Sequence, residues 1–414
     1  MISPCRIHQP RNRVDPLPLA LLFAAFLLAM AQYATSSASA EGGSGGSSVP
    51  FEITAGVDMG YDDRVIGSSA TTSSSGQSSF FARENLVLAY NRPGERTEVR
   101  LLAIGRSSQF FDLGTDDKDV NVTGSLTHNF STRLSFRADI YGAYQTEPNF
   151  QSNVGPENVR VPHFDTNDIF SVTYHWLPRV STVTSYTFQR IKYESSASSS
   201  SSSVGLSQDR FQNTLAESLQ FSLTSRTKLI GEYRFEIVDY DTAPRDSTIH
   251  FALAGIDHNL TEHLSVNVLG GESFRSFKND GDTIDPYLAA KLAYQGGNHS
   301  VNWTTSYGSE QPTTATALST TTIRTGLNVA YDLTSRINSR AGVYYSHNEN
   351  QGASGTSSAG SQDALQFTLG LKYKINKHFA LHVDYEHSAQ SSSGGTSGSG
   401  YSRNRYFAGL TYTY

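Results

Sequence analysis

Residues 401–414 read YSRNRYFAGLTYTY. Tyr406, Ala408, Leu410, Tyr412 and Tyr414 occupy alternate positions; Arg403, Arg405, Phe407, Gly409, Thr411 and Thr413 occupy the others. A period of two is the signature of a strand whose two faces meet different surroundings. A chain end usually frays, yet this one finishes on an aromatic residue. A strand that has to close a cylinder and anchor at an interface has a use for both features.

The same alternation runs back through the chain. Leu365, Phe367, Leu369, Leu371 and Tyr373 alternate with Ala364, Gln366, Thr368, Gly370 and Lys372. Leu134, Phe136, Ala138 and Ile140 alternate with Arg133, Ser135, Arg137 and Asp139. Tyr233, Phe235 and Ile237 alternate with Glu232, Arg234 and Glu236, and Leu381, Val383 and Tyr385 with His382, Asp384 and Glu386. Periodicity does not say whether the apolar set faces a core or lipid. Alternation blurs over Val180–Tyr193 and Glu272–Lys278. Glu217 shares parity with Leu215 and Leu219, so a bulge or an interfacial position is expected there.

Very short turns separate pairs of these segments. Phe130-Ser131-Thr132-Arg133, Leu223-Thr224-Ser225-Arg226, Leu260-Thr261-Glu262-His263, Leu333-Thr334-Ser335-Arg336 and Ile375-Asn376-Lys377-His378 repeat one pattern: apolar, small polar, then basic. Residues 91–94, 176–179 and 295–298 supply three more short turns. The other connections are longer: Ser68–Ser79, Ser195–Ser203, Asn348–Gln362 and Ala389–Gly400 are rich in Ser, Gly and Thr. Gln145–Phe164 is longer still and carries Pro148, Pro156 and Pro162. Eight hairpins plus a first strand at Phe51–Tyr61 and a last at Tyr401–Tyr414 give about eighteen strands. The expected fold is all-β: an antiparallel up-and-down transmembrane barrel with short periplasmic turns and long Ser/Gly-rich extracellular loops. Tyr90, Phe130, Trp176, Tyr331, Tyr373, Phe379 and Tyr414 beside the short turns, and Tyr193, Tyr240, Phe277, Tyr307 and Tyr345 beside the long loops, are placed for two interfacial girdles.

The amino terminus agrees. Arg6, Arg11 and Arg13 precede the apolar run Leu17–Met30, and Ala38-Ser39-Ala40 offers a cleavage site. The run is shorter than the roughly 20 residues of a spanning helix, so residues 1–40 read as a cleaved secretory signal peptide. Residues 41–50 form a Gly/Ser linker, and the barrel is expected over 51–414. Cys5, the one cysteine, falls within the signal. With three Arg and one Asp in residues 1–40, cleavage takes the net charge from −6 to −8. That balance argues against a nucleic-acid partner. No further apolar helix follows Met30, and a membrane chain without helices has only the closed barrel available to it.

Gly409, Tyr412 and Tyr414 match the carboxyl-terminal insertion signal of outer-membrane proteins, polar-x-Gly-x-x-aromatic-x-aromatic, with Phe407 standing where a polar residue is expected. Gly56–Val65 (GVDMGYDDRV) resembles the opening of the second putative β-barrel porin family, and Arg403–Tyr412 is similar to its last strand. Arg64 departs from the family's Tyr-Asp-Asp-Asn-Val-like stretch. The resemblance implies an outer-membrane barrel with a pore-like role and carries no catalytic residues.

No metalloprotease, nucleophile-elbow, phosphate-loop or dinucleotide motif occurs, so an enzyme is not expected and no cofactor is implied. Asp62-Asp63, Asp116-Asp117 and Asp280-Gly281-Asp282 fit solvated turn residues better than cation sites. A barrel of about eighteen strands is wide enough for an aqueous channel. The expected pore-lining set is Arg133, Arg137, Asp139, Lys228, Glu232, Arg234, Glu236, Arg336, Arg340, Lys372, His382, Asp384, Glu386 and Arg405, whose mixed signs predict weak ion selectivity. Gln145–Phe164 is the expected constriction. The expected partners are outer-membrane lipid and lipopolysaccharide, the barrel-assembly machinery and small hydrophilic solutes. A non-conducting structural barrel or a polysaccharide-export channel is the competing expectation.

Overall fold

The computed structural model describes residues 50–65, 77–147, 161–194, 208–242, 245–312, 317–352, 360–393 and 400–414. Eighteen strands run antiparallel in sequence order: β1 Phe51–Val65, β2 Gln77–Arg92, β3 Thr97–Phe110, β4 Thr115–Asn129, β5 Leu134–Gln145, β6 His163–Leu177, β7 Val180–Tyr193, β8 Arg210–Ser222, β9 Thr227–Tyr240, β10 Ser247–Asn259, β11 Leu264–Phe277, β12 Asp282–Gln295, β13 His299–Glu310, β14 Ala317–Asp332, β15 Ile337–Gly352, β16 Ser361–Lys374, β17 Phe379–Ser393 and β18 Tyr401–Thr413. Each pairs with its neighbours in sequence, and β1 pairs with β18 from Thr54↔Thr413 to Asp62↔Arg405. The sheet is a closed cylinder with no free edge. The expected cut and linker, residues 1–49, lie outside the described residues.

All eight short turns stand at one rim, the near rim, together with the start of β1 and the end of β18. The shared pattern has a physical cause. Ser131 Oγ accepts from the backbone N–H groups of Arg133 and Leu134 at 3.2 and 3.1 Å. Thr261 and Thr334 repeat this at 3.0–3.2 Å, and Asn376 Oδ1 at 2.8 and 2.9 Å. The small polar residue satisfies donors that the tight reversal would orphan. The apolar residue before it (Phe130, Leu223, Leu260, Leu333, Ile375) is exposed on the outside.

Burial is inverted relative to a soluble domain. Leu365, Leu369, Leu371, Leu381, Val383, Leu410 and Tyr412 are exposed, whereas Asp58, Asp62, Arg275, Thr320, Thr322 and Asp384 are buried. An exposed apolar outer wall around a polar interior is the arrangement that hydrocarbon demands.

Several expectations need correction. The strands reach further than the sequence pattern suggested: Gln77–Ser79, Asn348–Gly352 and Ala389–Ser393 are strand, not loop. Two far-rim connections are short, 111–114, closed by Gly114 at φ 60°, and 278–281. Tyr193, Tyr240 and Phe277 face inward and are buried, at 2, 8 and 5% exposure. Tyr193 and Tyr240 join small interior clusters instead of a girdle, and the Arg275 guanidinium stands 5.6 Å from the Phe277 ring centre. Outward aromatics towards the far rim include Phe80, Phe164, Phe211, Phe274 and Tyr406, and Tyr345 of the expected set is exposed on the outer face as well. Alternation blurred on β11 because two apolar residues face inward: Leu269, in the cluster of Ile249, Phe251 and Leu253, and Phe277, opposite Ser247. Glu217 has no bulge: its pairings Thr184↔Glu217 and Glu217↔Tyr233 sit in unbroken ladders.

Two glycines make the seam possible. A Cβ at Gly60 would meet Phe81 Cζ at 2.6 Å and Phe407 Cβ at 2.7 Å. One at Gly409 would run into Asp58 Oδ1 and reach His382 Cε1 at 2.7 Å and the Val57 carbonyl at 2.8 Å. Phe407, the departure from the insertion signal, faces inward. Its ring lies 6.4 Å from Phe81, and the Arg83 guanidinium stands over it at 4.2 Å.

Two substitutions test this arrangement. Leu369→Arg on the outer wall should cost about 2–4 kcal/mol of folding free energy into vesicles, and Thr368→Arg on the inner wall within about 0.5 kcal/mol; equal costs by denaturant titration would reverse the facing. Gly409→Ala should cost about 1–3 kcal/mol through overpacking at the seam, and an unchanged unfolding midpoint would refute that.

Candidate functional site

Opening and closing strands place their charged residues on one inner wall. Asp58 and Asp62 come from β1 and are fully buried. Arg403 and Arg405 come from β18. Arg403 donates to Asp62 through Nη2 at 2.5 Å and Nε at 3.0 Å, and Arg405 Nε donates at 3.2 Å. Asp58 accepts from Arg83 Nε on β2 at 2.9 Å and from Asn85 Nδ2 at 2.7 Å, with His382 Nε2 on β17 also at 2.9 Å. Two carboxylates thus tie four adjacent strands together across the seam. Desolvated carboxylates are tolerated only when paired and hydrogen-bonded.

From β5, five strands round the wall, Glu147 reaches the same arginines: its Oε1 accepts from Arg403 Nη2 at 2.8 Å and Arg405 Nη2 at 2.7 Å. Glu147 is the described root of the connection expected to form a constriction; residues 148–160 lie outside the described residues.

Between these groups lies a cavity of about 410 Å³. Its charged lining is Arg83, Arg106, Arg403 and Arg405 against Asp117, Asp119, Glu147 and Glu386, with Ile104, Phe110 and Val120 among the apolar contributors. Four guanidiniums face four carboxylates, so the chamber is highly polar with no excess of either sign. The inner face of β9–β12 differs. Val238, Ile249, Phe251 and Leu253 pack there as a buried cluster, with Tyr287 against it. Above it Arg275 donates to Gln311 Oε1 and the Ser309 carbonyl at 3.4 and 3.3 Å, and Tyr240 Oη to Gln311 at 3.3 Å.

The expected pore-lining residues are spread over the inner wall and its near-rim mouth. Arg405, Glu386, His382 and Asp384 belong to the seam wall, where Arg340 Nη2 also meets Asp384 at 2.6 Å. Gln212 donates to Glu236 on the inner wall of β9 at 3.3 Å. Glu232 and Arg234 pair with each other there, and Arg137 and Asp139 pair at 2.6 Å on β5. Lys228 and Lys372 are exposed inward near the near rim. Arg133 and Arg336 are in the near-rim turns rather than on the wall, so they stand at the mouth. The expected pore-lining set left out Asp58, Arg83, Arg106, Asp119, Glu147 and Arg403, and Asp62 and Asp117, expected as solvated turn residues, are instead buried on the inner faces of β1 and β4. The signal was present: Asp58, Asp62 and Arg403 lie inside the opening and closing motifs, on the parity that faces inward. At the far rim, outside the strands, hydrogen bonds from Arg190 and then Lys192 hold the Asp241 carboxyl down to about 2.

Solved structures similar to this one include Pseudomonas aeruginosa OccK5 (OpdH), 11% identical, covering 88% of this chain and 98% of that one with a TM-score of 0.43. The outer membrane protein opdK of the same organism is 12% identical, with 88% and 99% coverage and a TM-score of 0.43. Acinetobacter baumannii OccAB4 is 10% identical, with 88% and 98% coverage and a TM-score of 0.40. No curated protein matches the chain. The family model described as "Putative beta-barrel porin 2" matches residues 55–414, from the opening strand to the last residue, and the chain belongs to that outer-membrane β-barrel family.

Proposed function

We propose that the barrel is a passive channel for small hydrophilic solutes moving down their gradient. The observation that carries this reading is the charge-balanced chamber of about 410 Å³ on the inner side of the seam wall. Solutes crossing it exchange hydration for guanidinium and carboxylate contacts of both signs, which gives weak selectivity between ions. No catalytic residue and no cofactor enters this mechanism. The proposal includes removal of residues 1–40 during export and recognition of Gly409, Tyr412 and Tyr414 by the assembly machinery. It also includes contact of the far rim with lipopolysaccharide. The contacts of Glu147 with Arg403 and Arg405, and of Gln311 with Arg275, favour a second reading in which the lumen is largely closed and the barrel is structural or serves polysaccharide export.

Single-channel recording of the refolded mature chain in a planar bilayer separates the two. Steady conductance steps with a cation-to-anion permeability ratio near one support the channel; a silent bilayer, with heat-modifiable gel mobility showing a folded barrel, sinks it. Glu147→Ala removes the one carboxylate that reaches the seam arginines from β5. It should raise the conductance step and shift the reversal potential towards anion preference, because the chamber gains one net positive charge. An unchanged reversal potential would place Glu147 outside the conducting path.

A further inference from the structure

The outer wall is uneven. Over β16–β18 it presents Leu365, Leu369, Leu381, Val383 and Leu410, as lipid requires. Over β7–β10, Leu215, Leu219, Leu229 and Ile256 are interrupted by Thr184, Glu217, Gly231, Tyr233 and His250, all exposed. Glu217 stands five residues from the near-rim end of β8. On a strand tilted by about 40° five residues rise about 12 Å, half of a ~25 Å apolar band. The outward carboxylates Glu84 and Glu272 are each eight residues from the near-rim ends of their strands, closer to the far rim. Glu217 is therefore a carboxylate in the middle of a lipid-facing wall, with Thr184 Oγ1 donating to it at 2.6 Å. A single hydroxyl leaves most of its acceptor capacity unused, and hydrocarbon supplies nothing more.

We infer that the β8–β9 wall is the contact between two copies of this chain. Glu217 and Tyr233 are direct register partners, so they stand at one height above the turn they share. A two-fold axis along the membrane normal preserves height. Placed between β8 and β9, it sets Glu217 against the partner's Tyr233, and Tyr233 against Glu217 of the partner subunit. Gly231 is adjacent to the axis; a Cβ there would meet nothing within 4 Å, so the backbone lies open to close approach. The hydrogen bonding closes as well. Tyr233 Oη lies 2.7 Å from His250 Nδ1. With the proton on Nδ1, the imidazole donates to the phenol oxygen, and the phenol proton is left to donate to the carboxylate of the partner. Acceptor and donor on one patch make it self-complementary, as an isologous contact requires. The inference rests on the barrel being in a bilayer and is independent of whether its lumen conducts.

Purified chain carrying Cys5→Ser and Gly231→Cys, refolded into phosphatidylcholine vesicles and oxidised with copper phenanthroline, should give a disulfide-linked band of twice the monomer mass. Val383→Cys on the leucine-rich wall serves as the control and should give little. Adding Glu217→Leu to Gly231→Cys should lower the yield at limiting protein density by about tenfold, the loss of two symmetric hydrogen bonds in lipid. A Gly231→Cys yield no higher than that of Val383→Cys overturns the inference, and so does a yield that Glu217→Leu leaves unaltered. Native mass spectrometry of the unsubstituted chain in nanodiscs guards against a folding defect: a dimer supports the contact and a purely monomeric spectrum overturns it.

Discussion

The first strand has to find the last across a separation of 341 to 359 positions, and everything else in the structure depends on that pairing. An open sheet in hydrocarbon leaves two rows of unpaired backbone groups, each costing several kcal/mol, so seventeen correct hairpins without the seam are not a membrane protein. The Asp62↔Arg405 register pair and the bonds from Arg403 to Asp62 lie on the wall where a one-residue slip would turn them outward into lipid. Charge placement thus specifies the register that the backbone ladder alone would tolerate in more than one form. Gly60 and Gly409 act on the same seam by leaving room for Phe81, Phe407 and Asp58.

The interior is polar because the exterior has to be apolar, and this has a cost in available charge. Buried ion pairs add little net stability when their desolvation is counted, while an orphaned partner is expensive. The lumen accordingly pairs several of its arginines and carboxylates: Asp58 with Arg83 and His382, Asp62 with Arg403 and Arg405, Glu310 with Arg324. A wall built this way is hydrophilic without carrying a strong field of one sign. On the channel reading, weak ion selectivity would be a consequence of how the interior is stabilised.

Architecture was legible in the sequence where local chemistry and global role coincide. The near-rim turns were readable because Ser131, Thr261, Thr334 and Asn376 each perform the same local capping in four or five residues. The strand count follows from those turns. Legibility failed where a residue's facing depends on its neighbours in space. Tyr193, Tyr240 and Phe277 read as girdle aromatics because aromatics near strand ends usually are, yet each falls on the inward parity and is buried, the two tyrosines within interior clusters. The far-rim loop boundaries were misjudged because Ser and Gly persist into strand ends that stand clear of lipid, where no apolar face is needed to mark them. Of the seam wall, Arg405 and Glu386 were identified and Asp62 and Arg403 were not, since their value lies in a pairing across 341 positions.

The lumen is asymmetric, and that asymmetry ties closure to passage. On the inner face of β9–β12, Val238, Ile249, Phe251 and Leu253 form a buried apolar cluster under Arg275 and Gln311, beside the paired Glu232 and Arg234. The charged chamber lies on the opposite arc, lined from β2–β5 and from β16–β18. On the channel reading, solutes pass along the very wall that closes the barrel, and the arginines that fix the register are those a solute meets. Such residues have two roles that a single measurement confounds: removing one changes both the folded fraction and the field in the chamber. Glu147 is the informative exception, because it faces the seam arginines from outside the seam and the β1–β18 ladder does not run through it.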